Sequence, residues 1–135
     1  MIMTPALFKA TRESLGLSVA WLARRWGVRR QSVDRWESGE RLIPDAIALD
    51  LQSLDAYTLS TIHEQIDEDA ETLTVPQGAG DEGDQMPPSW YRMVAKRVAE
   101  QTGARVLYEG QDDPGWELLL PTTRVSPDTP VAPFD

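Results

Sequence analysis

Residues 17–44 read Leu-Ser-Val-Ala-Trp-Leu-Ala-Arg-Arg-Trp-Gly-Val-Arg-Arg-Gln-Ser-Val-Asp-Arg-Trp-Glu-Ser-Gly-Glu-Arg-Leu-Ile-Pro. Ser18 can cap a first short helix carrying Ala20, Leu22, Ala23 and Trp26, after which Gly27 supplies a tight turn. A second helix from about Arg30 to Glu37 places Val33 in the shared core. Small Ala23, turn-forming Gly27 and β-branched Val33 are what two helices need to cross closely at a steep angle. The opposite face then carries Arg30, Gln31, Asp34 and Arg35, side chains suited to hydrogen-bonding base edges in a major groove. This stretch predicts a helix pair that reads a duplex.

The chain has 135 residues, 41% of them apolar, enough for a globular core. It contains no cysteine, which excludes disulfides and thiolate metal sites and suits a reducing cytoplasm, the expected location. No apolar run reaches the roughly 18–20 residues of a membrane span, and the start at Met1–Ala10 lacks the layout of a signal peptide. The net charge of −9 is unevenly placed: residues 1–57 carry +1 and residues 58–135 carry −10. Within 17–43, six arginines face three acids, a local +3 that can meet phosphate while the acidic remainder suppresses sequence-blind binding.

Outward from that stretch, Thr4 or Pro5 can start a leading helix through Leu7, Phe8, Thr11 and Leu15 that ends near Gly16. Beyond Pro44, Ala46, Ile47, Leu49, Leu51 and Leu54 pattern a further helix, and Leu59, Ile62 and Ile66 extend the pattern toward Asp69. That makes five helices in about 70 residues, within a domain spanning 1–74. Residues 75–88 are rich in Pro, Gly and acid and read as a linker. In 89–120, Ser89 can cap a helix through Tyr91, Val94, Ala95 and Val98, and Arg105–Glu109 with Trp116–Leu120 reads as a hairpin around the Asp-Pro-Gly turn at 113–115. The tail 121–135, with Pro127, Pro130 and Pro133, has nothing to fold around.

Residues 4–57 resemble the lambda-repressor-like (Xre-type) helix-turn-helix family. The motif residues are Gly16-Leu17-Ser18, Leu22-Ala23, Gly27-Val28, Ser32, Trp36-Glu37, Gly39 and Pro44. More weakly, Ile43-Pro44-Asp45, the long acidic helix and the Trp90-Tyr91 helix are similar to small YdiL-like repressors, a group that includes anti-CRISPR-associated autoregulators. The resemblance implies a mainly α fold, a five-helix DNA-binding domain with a small C-terminal helix-plus-hairpin module. It implies an ion pair between Arg12 and Glu37, base contacts from Arg30, Gln31 and Arg35, and phosphate contacts at Ser18, Ser32, Ser38 and Arg41. Asp34 joins the base-contacting set by its place on the same face. Val19 stands where many relatives have a phosphate-binding Gln, and Arg29 where a Ser or Thr caps the second helix, so Arg29 is assigned to phosphate. The C-terminal part serves dimerisation in that group, which points here to Leu59, Ile62, Ile66, Trp90, Tyr91, Val94 and Trp116.

Other readings of the same residues are less specific. Trp21, Trp26 and Trp36 at helical spacing beside a core are packing residues before they are base-stacking ones. His63 is the only histidine and reads as a surface imidazole. Asp67, Glu68, Asp69 and Glu71 lack the alternating layout of a calcium loop. No phosphate loop, dinucleotide fingerprint or nucleophile elbow occurs, so no metal, cofactor or enzymatic activity is expected. The expected function is a homodimeric, sequence-specific regulator, most simply a repressor on an inverted repeat, because one helix reads only about four base pairs. The alternative is an antitoxin-like interaction protein whose acidic half captures a basic partner, with autoregulatory DNA binding.

Overall fold

Three helices open where backbone and capping chemistry dictate. A computed structural model describes residues 2–78 and 85–113. Helix α1 (Pro5–Ser14) follows Thr4, whose hydroxyl accepts the Leu7 N–H at 3.1 Å, with Pro5 in the first turn where its missing N–H costs nothing. Helix α2 (Val19–Trp26) follows Ser18, whose hydroxyl accepts the Trp21 N–H at 3.0 Å, and stops at Gly27 in the left-handed conformation. Helix α3 (Arg30–Ser38) starts from extended Arg29 with no side-chain cap.

Helix α4 (Asp45–Glu68) is a single rod of 24 residues, about 36 Å long at 1.5 Å per residue, not two helices. Asp55-Ala56-Tyr57-Thr58 contains no Gly or Pro to break it, and the Thr58 hydroxyl donates back to the Leu54 carbonyl at 2.7 Å. After it come β1 (Thr72–Val75), α5 (Pro88–Thr102) and β2 (Arg105–Tyr108). The strands pair in parallel, Thr72 opposite Arg105 through Val75 opposite Tyr108, with α5 between them in sequence. The hairpin expected from Arg105–Glu109 is replaced, for its first strand, by this parallel pairing; Trp116–Leu120 lies outside the described residues. The fold is therefore mainly helical with a two-stranded sheet.

One apolar core runs through the described chain. Phe8, Leu15, Leu17, Leu22, Val33 and Leu51 share a cluster with Ile62, Trp90, Val94 and Val98. Phe8, Trp26 and Trp36 meet with ring centroids 5.9–6.4 Å apart at tilted to edge-on angles, joining α1, α2 and α3. Trp90, 2% exposed, donates its indole N–H to the buried Thr58 hydroxyl at 2.9 Å and stacks on Tyr57. Helix α5 thus completes the N-terminal core. Ile62, Trp90 and Val94, assigned from sequence to an interface between copies, are buried within the chain, and Ile66 packs against the same core. Leu59 and Tyr91 keep 40% and 38% of their surface, and Trp116 lies outside the described residues.

The first turn of α5 also departs from its expected chemistry. Pro87, not Ser89, is its cap, and the Ser89 hydroxyl donates instead to the Gly16 carbonyl. A Cβ at Gly16 would lie 2.9 Å from the Ser89 carbonyl oxygen, and Gly16 has φ +69°, so only glycine fits. The stretch expected to be a linker over 75–88 is anchored on both flanks. Val75 is buried, Arg92 donates to the carbonyls of Pro76 and Gly78, and the Trp21 indole donates to the Gln85 carbonyl at 3.3 Å. Residues 79–84 and the tail 121–135 lie outside the described residues. No described helix is long and apolar enough to cross a membrane.

Replacing Thr58 by Val keeps the volume but strands the Trp90 indole N–H in the core. A loss of ~1–3 kcal/mol in urea unfolding is expected, against a near-neutral Ser60→Ala on the exposed side of α4.

Candidate nucleic-acid interface

Helices α2 and α3 cross over Ala23, 4% exposed, and Val33, fully buried. Small Ala20 and Ala23 on α2 leave an open cleft against α3, lined also by Arg24, Val28, Arg29, Arg30, Gln31 and Asp34. The expected base-reading residues Arg30, Gln31 and Asp34 therefore share one surface with Arg29, and all four are exposed. Arg24 joins them. Sequence reasoning missed Arg24, although its spacing from Ala20 and Ala23 is the signal that places the three on one side of α2.

The remaining candidates lie outside this cleft. Arg35, half-buried, has its Nε 3.7 Å from a Glu40 carboxylate oxygen, a loose exposed pair. Ser38 is exposed, but its hydroxyl donates to the Arg35 carbonyl and accepts the Glu40 N–H. Arg41 is exposed on the loop between α3 and α4, Ser32 is half-buried on α3, and Ser18 is occupied as the cap of α2.

The arginines fall into two groups. Arg12, in α1, sends its Nε to Glu37 at 2.5 Å, its Nη2 to the same carboxylate at 3.3 Å and its Nη1 to the Leu17 carbonyl at 3.1 Å. The two side chains are only 14% and 8% exposed, so this bidentate pair locks α1 to α3 in a partly dry setting. Arg25 holds Asp50 of α4 through two bonds of 2.7 and 3.0 Å, and Trp26 donates to that carboxylate at 2.7 Å. The Arg25 hydrogen bonds draw the Asp50 carboxyl below its ordinary value, with burial opposing and the Trp26 N–H assisting; the same bonds raise Arg25. In contrast, Arg24, Arg29, Arg30 and Arg41 form no ion pair among the described residues.

No protein-family model matches the chain, and no curated protein matches it in sequence. Among the described residues, no group of three or more His, Asp or Glu side chains is placed to hold a metal ion. What the cleft offers is three guanidinium groups, an amide and a carboxylate from two adjoining helices and the turn between them.

Arg12→Ala or Glu37→Ala leaves the other charge in its enclosed site, so each should cost ~3–5 kcal/mol by chemical denaturation, with wild-type stability in both overturning the structural role. For Asp50 the folded value is depressed below the ordinary 3.8, so its contribution is present above that range and lost as pH falls through the folded value. Partial exposure limits it to about 1 kcal/mol or less. The wild type and Asp50→Asn should therefore differ in urea midpoint at neutral pH and converge as pH falls through and below the depressed folded value.

Proposed function

We propose that the chain is a sequence-specific, duplex-DNA-binding transcriptional regulator, acting as a homodimeric repressor on an inverted repeat. In this reading α2, the Gly27 turn and α3 are a helix-turn-helix within a lambda-repressor-like arrangement. Helix α3 enters the major groove. The observation that carries the reading is the gathering of Arg24, Arg29 and Arg30, without ion pairs among the described residues, around Gln31 and Asp34 on one open cleft, while Arg12 and Arg25 are bonded to carboxylates of other helices. Unpaired guanidinium groups serve phosphate and guanine; the amide of Gln31 serves adenine.

Arg29, Arg41 and the backbone around Ser18, Ser32 and Ser38 supply the phosphate contacts that fix register. With Ile62, Trp90 and Val94 committed to the core, a second copy meets the exposed apolar side chains of α4 and α5, Leu49, Tyr57, Leu59 and Tyr91. Two copies are required because specificity against a genome exceeds what one short helix supplies. The reading places the protein in the cytoplasm, with DNA as its partner and no cofactor.

A second reading has one observation in its favour. Helix α4 ends on exposed Glu64, Asp67 and Glu68, with Asp69 as its cap and no basic residue in the last turn, at the end where the helix dipole is already negative. A basic protein partner would relieve that repulsion, as in an antitoxin.

Binding of the full chain to a selected duplex and to a random one separates the roles. Gln31→Ala should cost ~1–3 kcal/mol on the selected duplex and little on the random one, whereas Arg41→Ala should weaken both and lower the salt dependence by about one phosphate. Equal losses on both duplexes for Gln31→Ala would remove its base-reading role. Co-purification of a basic protein with the full chain would favour the second reading, in which duplex binding is only autoregulatory.

A further inference from the structure

Asp34 is the one carboxylate lining the cleft among the described residues. It is exposed, lies four residues after Arg30 and three after Gln31 on the same side of α3, and forms no ion pair among the described residues although three arginines line the same cleft. On a surface that approaches phosphates, a bare carboxylate weakens association with every duplex alike. It is compensated only where it meets a hydrogen-bond donor.

The major groove offers two such donors, the N4 amino group of cytosine and the N6 amino group of adenine. Adenine presents its N7 acceptor beside N6, which repels a carboxylate and suits an amide such as Gln31. Cytosine presents N4 without an acceptor at its side, and its paired guanine turns O6 and N7 toward the same groove, where a guanidinium fits. Side chains four apart on a helix sit about 5–6 Å from one another, close to the spacing of one base pair or two neighbouring ones. We propose that Asp34 reads cytosine through its N4 amino group, beside a guanine met by Arg30, so that the two side chains together recognise a C·G element in each half-site. The inference rests on the duplex-binding reading. It adds a repulsive function: the charge that fits cytosine penalises every site lacking it, so discrimination comes from rejection as well as attraction.

The test uses the full chain, Asp34→Ala and Asp34→Asn, each taken through selection from a randomised duplex pool and then titrated against the selected and a random duplex. Because Asp34 is exposed, all three should melt alike. The expected result is a fixed cytosine in the wild-type site. Asp34→Ala should bind that site about 5- to 150-fold more weakly, bind random duplex more tightly, and lose the preference at that one position. Asp34→Asn should move the preference there to adenine. If Asp34→Ala tightens both duplexes by the same factor and selects an unchanged site, Asp34 only tunes charge and the proposal is overturned. If the wild type selects no duplex at all, the duplex-binding reading fails first and the assignment of Asp34 with it.

Discussion

One guanidinium, that of Arg12, holds the first three helices in mutual register. It reaches from α1 to Glu37 on α3 and to the Leu17 carbonyl in the loop that launches α2, so a single planar group satisfies acceptors on two other segments. Apolar packing alone leaves helices free to slide by fractions of a turn, since dispersion is weakly directional, whereas a forked donor bonded to a carboxylate and a carbonyl is not. The aromatic contacts of Phe8, Trp26 and Trp36 join the same three helices. The angle at which α2 and α3 present their outer faces follows from this arrangement.

Arginine has two uses in this chain, and the presence of a bonded carboxylate separates them. Arg12 and Arg25 each face an internal carboxylate on another helix, and both bonds are bidentate. Arg24, Arg29 and Arg30 sit within a few residues of Arg25, yet they line the open cleft and form no ion pair among the described residues. Neighbours in sequence thus divide between structure and surface because helical rotation carries successive residues about 100° apart.

The first forty-odd residues were legible because their signals are local. Thr4 and Ser18 cap, Gly27 and Gly39 stop helices, and the apolar positions repeat at helical spacing, so α1 to α3 could be placed from the residues themselves. The rest depends on partners distant in sequence. Thr72-Leu73-Thr74-Val75 alternates as a strand should, but four residues across the expected boundary at 74/75 carry too little pattern to be read as one unless β2 is known to lie alongside. Trp90 and Val94 carry the same apolar signature whether they face another copy or the chain's own core, and only the Trp90–Thr58 hydrogen bond and the Ser89–Gly16 contact decide it. The Arg25–Asp50 pair, 25 residues apart, left no pattern at all. At the cleft, Arg30, Gln31 and Asp34 were read from one helix alone; Arg24 emerged only when α2 was set beside it.

The seating of α5 on the loop at Gly16 has a consequence for when the protein comes into being. Translation delivers α1 to α3 first, but the core shared by α4 and α5 stays incomplete until Trp90, Val94 and Val98 have left the ribosome. A chain interrupted before α5 exposes apolar surface and is prey to proteases and chaperones rather than a weak version of the finished protein. Completion of the core thus waits for the last described helix, long after α1 to α3 have been synthesised.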